Sequence, residues 1–327
     1  MSGLADVVHE RVEANGLRFH VAALGSGEQL ALCLHGFPEC WYSWRHQLPL
    51  LAERGWRVWA PDLRGYGESE RPPRVADYAI ETLLEDVEGL VDASGARQLM
   101  LVAHDWGGIL AWYFAMRRVR PLSRLVVMNV PHPGAARPAF RRFAQLRRSW
   151  YALFFQLPWL PEALLGARGC RVVGEAMRRS SCHPERFPDA DLQVFRQAAA
   201  RGPLSGMLHY YRAFLRGGAA RQHRLGYPLI ETPTLFLWGE QDVALTRATT
   251  LGTEAFVRDL TLRYLPGASH WVQQDEPETV NTMLGAWLRG ERVPEAPAIA
   301  AAGAGPVSAL KSTAATSTSK FQNWNGK

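Results

Sequence analysis

Lysine is nearly missing from this 327-residue chain: only Lys311, Lys320 and Lys327 occur, all near the C-terminus. Elsewhere 34 arginines stand against 31 acids, so the formal net charge of +6 owes half its size to those three lysines. The densest basic cluster is Arg137, Arg141, Arg142, Arg147 and Arg148. No nucleic-acid motif accompanies it, so it reads as a solvated helix face and no nucleic-acid partner is expected. Long apolar runs are also lacking. The nearest, Trp150 to Ala167, is interrupted by Gln156, Pro158, Pro161 and Glu162, and a membrane span needs about 20 apolar residues. The N-terminus carries Asp6, His9, Glu10 and Arg11 in place of a signal-peptide apolar region. Without a span or a leader, stable membrane insertion is not expected and the cytoplasm is the default location.

Cysteine is scarce as well. Cys33, Cys40, Cys170 and Cys182 form no CxxC pair, and no histidines lie at zinc-binding spacing. A disulfide framework and a metal centre are therefore not expected, and Cys33, inside an apolar run, reads as a small core residue.

What is present is a rhythm. Asn15-Gly16 is a hairpin signal between Val7–Glu13 and Leu17–Ala23. Strand-like runs follow at Leu30–Leu34, Arg57–Ala60, Leu99–Ala103, Leu125–Asn129, Thr234–Trp238 and Thr261–Leu265. Amphipathic segments fall between them, at Trp44–Arg54, Ile80–Ala93, Gly108–Arg118, Arg247–Val257 and Glu278–Leu288. The alternation predicts an α/β fold with a mostly parallel sheet flanked by helices. Residues 131–227 break the rhythm with arginine, aromatics and helical spacing. They predict a helical cap inserted after the sixth strand, leaving 1–130 and 228–290 as the core. Residues 291–327 turn to Ala, Gly, Ser, Thr and Pro and are expected to be a disordered tail.

Four strand ends carry chemistry. In Leu101-Val-Ala-His-Asp105-Trp-Gly-Gly108 an apolar strand runs into a turn and then a helix, with Ala103 and Gly107 leaving room around Asp105. That is the pattern of a nucleophile elbow, with aspartate in the usual place of serine. An aspartate capping the helix would leave the same local pattern, so the other segments decide. His35-Gly-Phe-Pro-Glu39 ends an earlier strand, where the N–H of Phe37, with that of Trp106, can form an oxyanion hole. Around Thr234–Trp238 stand Glu231, Glu240 and Asp242; Asp242 is favoured to orient a histidine, because it lies several residues beyond the strand, where the loop can turn toward the site. His270 follows the last strand, completing the chain order nucleophile, acid, base. His35, His104 and His132 read as loop-shaping residues.

On these residues the chain resembles the epoxide hydrolases of the α/β-hydrolase fold. The matching stretches are His35-Gly-Phe-Pro-Glu39, Trp44-Arg45, Pro61-Asp-Leu-Arg-Gly-Tyr-Gly-Glu-Ser69, His104-Asp-Trp-Gly-Gly108 and Gly267-Ala-Ser-His270. The resemblance implies Asp105 as nucleophile, His270 as base, Asp242 as its acid partner, and two cap tyrosines that hydrogen-bond the epoxide oxygen. Trp150-Tyr151-Ala-Leu-Phe-Phe-Gln156 resembles the segment of the first tyrosine, and Gly206-Met-Leu-His-Tyr-Tyr211-Arg212 that of the second. Tyr211 is the better match and Tyr210 the adjacent alternative; His209 stands where an asparagine is expected. His35, Pro38, Trp106, Phe154 and Trp271 are the expected substrate contacts. No cofactor is implied.

The nucleophile constrains the reaction. A serine alkylated by an epoxide would leave an ether that water does not readily cleave, whereas an aspartate leaves an ester. A carboxylate also needs no base for its own attack, so the histidine serves the second half-reaction, activating water. The expected substrate is a small apolar epoxide. A haloalkane dehalogenase would use the same ester chemistry, though Phe37 stands where an asparagine would favour halide. A non-catalytic ligand-binding protein on this scaffold is the reading from another class, against which every triad position is filled.

Overall fold

The computed structural model describes residues 3–297. Its sheet is built from β1 (Val8–Ala14), β2 (Leu17–Leu24), β3 (Gln29–Leu34), β4 (Arg57–Pro61), β5 (Gln98–His104), β6 (Arg124–Met128), β7 (Thr234–Gly239) and β8 (Leu260–Leu265). The strand order is β1-β2-β4-β3-β5-β6-β7-β8. From β4 onward every pairing is parallel, and β2 joins antiparallel to β1 and β4. The hairpin turns where Asn15-Gly16 signals it, with both residues at positive φ, 46° and 71°.

The period of two along each central strand sorts the core into two layers. Leu30, Leu32, Leu34, Leu99, Leu101 and Ala103 face one side, beneath α2 (Ile80–Ser94) and α3 (Asp105–Arg117). Ala31, Cys33, Met100 and Val102 face the other. They meet α1 (Gln47–Glu53) and, later in the chain, the helix at Pro277–Leu288. Cys33 is thus a core residue, and all four cysteines are free thiols.

Between β6 and β7 the chain is helical. It runs through α4 (Pro133–Phe140), α5 (Phe143–Arg148), α6 (Trp150–Phe154), α7 (Leu160–Ser180, broken at Ala167–Cys170), α8 (Asp189–Ala200), α9 (Ser205–Ala213) and α10 (Ala219–Arg224). This insertion is tied to the loops of the sheet by polar contacts. The Tyr210 hydroxyl donates to the Arg64 carbonyl at 2.9 Å, His209 reaches the Pro73 carbonyl at 3.0 Å, and Arg45 pairs with Asp191 at 3.0 Å. His209 therefore acts as an anchor between α9 and the loop after β4. The chain closes with α11 (Val272–Asp275) and α12 (Pro277–Leu288).

Two expected helices differ. Trp44–Arg54 opens as a single tight turn at Trp41–Trp44 before α1. Arg247–Val257 is not a helix but two isolated turns, Arg247–Thr249 and Thr253–Ala255. The hydroxyls of Thr249, Thr250 and Thr253 each bond back to the carbonyl three residues earlier, and Gly252 takes φ 85° between the turns. Threonine side chains compete with the helix ladder in this way. Of the expected tail, residues 291–297 form neither helix nor strand, and Arg263 holds the buried Val293 through its carbonyl. The remainder, 298–327, lies outside the described residues.

Candidate active site

In an open parallel sheet, the loops at the carboxyl ends of the strands gather side chains from elements far apart in sequence. Here Phe37 follows β3, Asp105 follows β5, Asp242 follows β7 and His270 follows β8.

Asp105 begins α3 with φ 47°, the left-handed region that side-chain-bearing residues seldom adopt. The surrounding glycines permit this sharp turn. A Cβ on Gly36 would lie 2.3 Å from that of Asp105, and one on Gly107 would lie 2.2 Å from the Leu34 carbonyl oxygen. The two carboxylate oxygens have different partners. Oδ1 accepts the Phe37 N–H at 2.8 Å, and Oδ2 lies 3.6 Å from His270 Nε2. Trp106 contributes one of the first-turn amides of α3, which have no partner within the helix.

His270 is buried, with Nδ1 2.7 Å from Asp242 Oδ2. Burial opposes its charge, but the carboxylates of Asp242 and Asp105 outweigh that and hold its pKa well above the ordinary histidine value. Asp242 is the most firmly held group of the set. Its Oδ1 accepts the N–H groups of Ala244 and Leu245, and its Oδ2 also accepts Asn129 Nδ2 at 2.9 Å. The sequence reading did not single out Asn129. The residue after β6 is a donor, and it orients the carboxylate after β7. Asn129 stands just past the end of β6 at φ 42°, and its contact exists only because β6 lies beside β7.

A second buried network lies behind His270. His104 spans from Glu39 Oε2 (2.7 Å) to the carbonyl of His270 (2.8 Å), so it grips the backbone that carries that side chain. Glu39 also accepts Gly36 N–H and the amides of Gln273 and Gln274. Burial alone would raise its pKa; the His104 contact and the Gly36 N–H instead depress it to about 2. This sets a stability prediction. A depressed carboxylate stabilises the fold above its unfolded value, near 4.5, and loses that contribution as pH falls toward about 2. Glu39→Gln should cost about 3 kcal/mol at neutral pH, as breaking a buried charged network does. In urea unfolding at pH 7 and pH 3, the gap between wild type and variant should narrow at the lower pH; an equal gap would refute the assignment.

Tyr151, on α6, and Tyr211, on α9, meet above Asp105. Their ring centroids are 5.9 Å apart, and Tyr211 also packs on Phe37 and Trp106 at 5.4 and 5.0 Å. Burial, with the charge of Asp105 adding to it, raises both phenol pKa values, so both keep their protons at neutral pH. Tyr210 points away, its hydroxyl spent on Arg64. The geometry thus separates the two adjacent tyrosines.

The expected substrate contacts divide. Trp106 packs on Tyr211, Phe154 is half-buried beside Phe155, and Pro38 is buried next to Phe37. Of the two expectations for His35, loop shaping fits and substrate contact does not: it is fully buried, its Nδ1 on the Gly36 carbonyl and its Nε2 accepting the Leu63 N–H. With both nitrogens committed to backbone it shapes the loop and has no group to offer a substrate. Trp271 likewise supports the site from behind, its ring 5.0 Å from that of His270 and its indole N–H on Ser180.

Residues 31–277 match the α/β-hydrolase fold family, and the chain belongs to it. The relatives narrow the placement. Human epoxide hydrolase 4 is 37% identical over 86% of this chain and 78% of its own length, and Xenopus tropicalis epoxide hydrolase 3 is 37% identical over 85% and 77%. The Bacillus subtilis AB hydrolase superfamily protein YfhM is 35% identical over 86% and 97%. Among solved structures, the Bacillus megaterium epoxide hydrolase bound to an inhibitor superposes with a TM-score of 0.79, at 28% identity over 86% of this chain and all of that one. Within the α/β-hydrolases, this chain belongs with the epoxide hydrolases.

Proposed function

We propose that the chain hydrolyses an apolar epoxide to a vicinal diol through an ester on Asp105. The observation that carries this reading is the division of labour between the two oxygens of Asp105. Oδ1 rests on the Phe37 N–H, where a carbonyl oxygen becomes an oxyanion, and Oδ2 is left to attack. Oδ2 bonds to a ring carbon, the ring C–O bond breaks, and its electron pair moves to the epoxide oxygen, which takes a proton from Tyr151 or Tyr211. Water, losing a proton toward His270, then adds to the ester carbonyl, and the charge collects on Oδ1 against the N–H groups of Phe37 and Trp106. Collapse releases the diol; the proton taken by His270 makes good the one the tyrosine gave. The helical insertion, residues 131–227, serves as a cap over the core formed by 1–130 and 228–290, and it supplies both tyrosines. The aromatic rings around the site favour an apolar substrate.

A single turnover with enzyme in excess, run in ¹⁸O water, tests the reading. The first diol should carry no label, because its new oxygen is Oδ2, and the label should appear on Asp105. Label in that first diol would mean that water attacks the ring directly.

A further inference from the structure

Among the described residues, every exposed phenylalanine and tryptophan lies in one stretch: Phe140, Phe143, Trp150 and Trp159. Leu146, Leu153 and Leu157 are exposed with them. From Phe143 the large exposed apolar side chains recur every three or four residues, at 146, 150, 153 and 157, across α5, α6 and the turn that follows them. Phe143 is 79% exposed, Leu153 70% and Trp159 72%, so the fold leaves this face uncovered. Soluble chains seldom leave such aromatic side chains clustered on the surface without a partner.

The charge on the same stretch indicates what that partner is. Arg137, Arg141, Arg142, Arg147 and Arg148 are all exposed. Between Asp105 and Glu162 the chain holds no Asp or Glu. Of the five, Arg148 alone donates a side-chain hydrogen bond among the described residues, to the Asp242 carbonyl. A second copy of this chain would set one such cluster against another. An anionic surface suits both halves of the pattern, because aromatic and leucine side chains enter the boundary between acyl chains and headgroups while arginines meet phosphate. No described helix is long and apolar enough to cross a membrane, so the contact would be peripheral.

We propose that the face spanning Phe140–Trp159 docks reversibly on an anionic phospholipid surface. The five-residue helix α6 joins this face to the candidate site. Its Trp150 and Leu153 point to solvent, while its Tyr151 packs inward on Tyr211. Docking would set the site about one helix diameter, ~10 Å, beneath the lipid boundary, where apolar compounds concentrate.

Sedimentation of the full chain with phosphatidylglycerol–phosphatidylcholine vesicles, beside pure phosphatidylcholine vesicles, tests this. Binding should require phosphatidylglycerol and weaken as salt rises. Arg141→Gln/Arg142→Gln should lower the partition coefficient on the order of 30-fold, about fivefold for each arginine. Phe143→Ser/Trp159→Ser should lower it further. Both variants should keep the wild-type melting temperature. No binding to anionic vesicles, or binding that neither variant weakens, overturns the proposal. So does a wild type that is dimeric without lipid while Phe143→Ser/Trp159→Ser is monomeric, since the face would then be a subunit contact. The inference is independent of the chemistry at Asp105: a chain that binds vesicles but opens no epoxide would refute the proposed reaction and leave this one standing.

Discussion

His270→Gln, mixed with styrene oxide, should gain the mass of the whole epoxide on Asp105 and hold it. The substitution removes the base but leaves the nucleophile and its Phe37 N–H contact in place. Ring opening therefore proceeds and ester hydrolysis does not. Multiple turnover should fall by about 10³-fold or more, in line with the loss of a positioned general base. Intact-protein mass spectrometry with peptide mapping reads the result directly. An alkyl bromide run in parallel separates the chemistries: an adduct with the bromide alone would move the assignment to dehalogenation, and no adduct with either would remove the nucleophilic role of Asp105. The wild type should show the same separation with pH. Two carboxylates hold the His270 pKa high; in the proposed reaction esterification of Asp105 removes one of them, so the histidine gives up its proton more readily and stands neutral, free to accept one from water, when it is needed. Lowering the pH protonates that acceptor, and quenched wild-type reactions should then contain progressively more ester.

Removing the phenol hydroxyls should produce the opposite kinetic pattern. Tyr151→Phe and Tyr211→Phe each take a donor from the oxygen on which charge develops during ring opening, a loss worth about 10²- to 10³-fold. Their pKa values are raised, so each is a protonated donor throughout the neutral range, and no activating base is needed. In rapid-quench experiments with His270→Gln as background, the tyrosine variants should slow ester formation, and the double variant should form almost none. Tyr210→Phe is the control. It breaks the bond to the Arg64 carbonyl, which should lower stability by about 1 kcal/mol while leaving the alkylation rate unchanged. If Tyr210→Phe slows alkylation and Tyr211→Phe does not, the assignment of the two positions is reversed.

Much of this was legible in the residues because the signals are local. An apolar run ending at His104-Asp105-Trp-Gly-Gly108 specifies a strand, a tight turn and a helix within eleven residues of chain, about the distance over which backbone sterics act. The helix expected at Arg247–Val257 does not form for an equally local reason: the threonine hydroxyls there compete for the carbonyls. Asn129 escaped notice for a different one. Its function depends on β6 lying beside β7, a fact of strand order that no window of sequence contains.

By itself, the sequence determined the alternation of strands and helices, the aspartate at the elbow and the chain order of Asp105, Asp242 and His270, because backbone preference and hydrophobic period are carried by neighbours along the chain. Only the tertiary structure tied the Tyr210 hydroxyl to Arg64 and set Tyr211 against Phe37 and Trp106, committed both ring nitrogens of His35 to backbone, and left the aromatic side chains from Phe140 to Trp159 in solvent. Those outcomes depend on what a side chain meets across space. Adjacent helical residues point about 100° apart, so which of two neighbouring tyrosines faces Asp105 is settled by how α9 packs, and by nothing in the spacing of its letters.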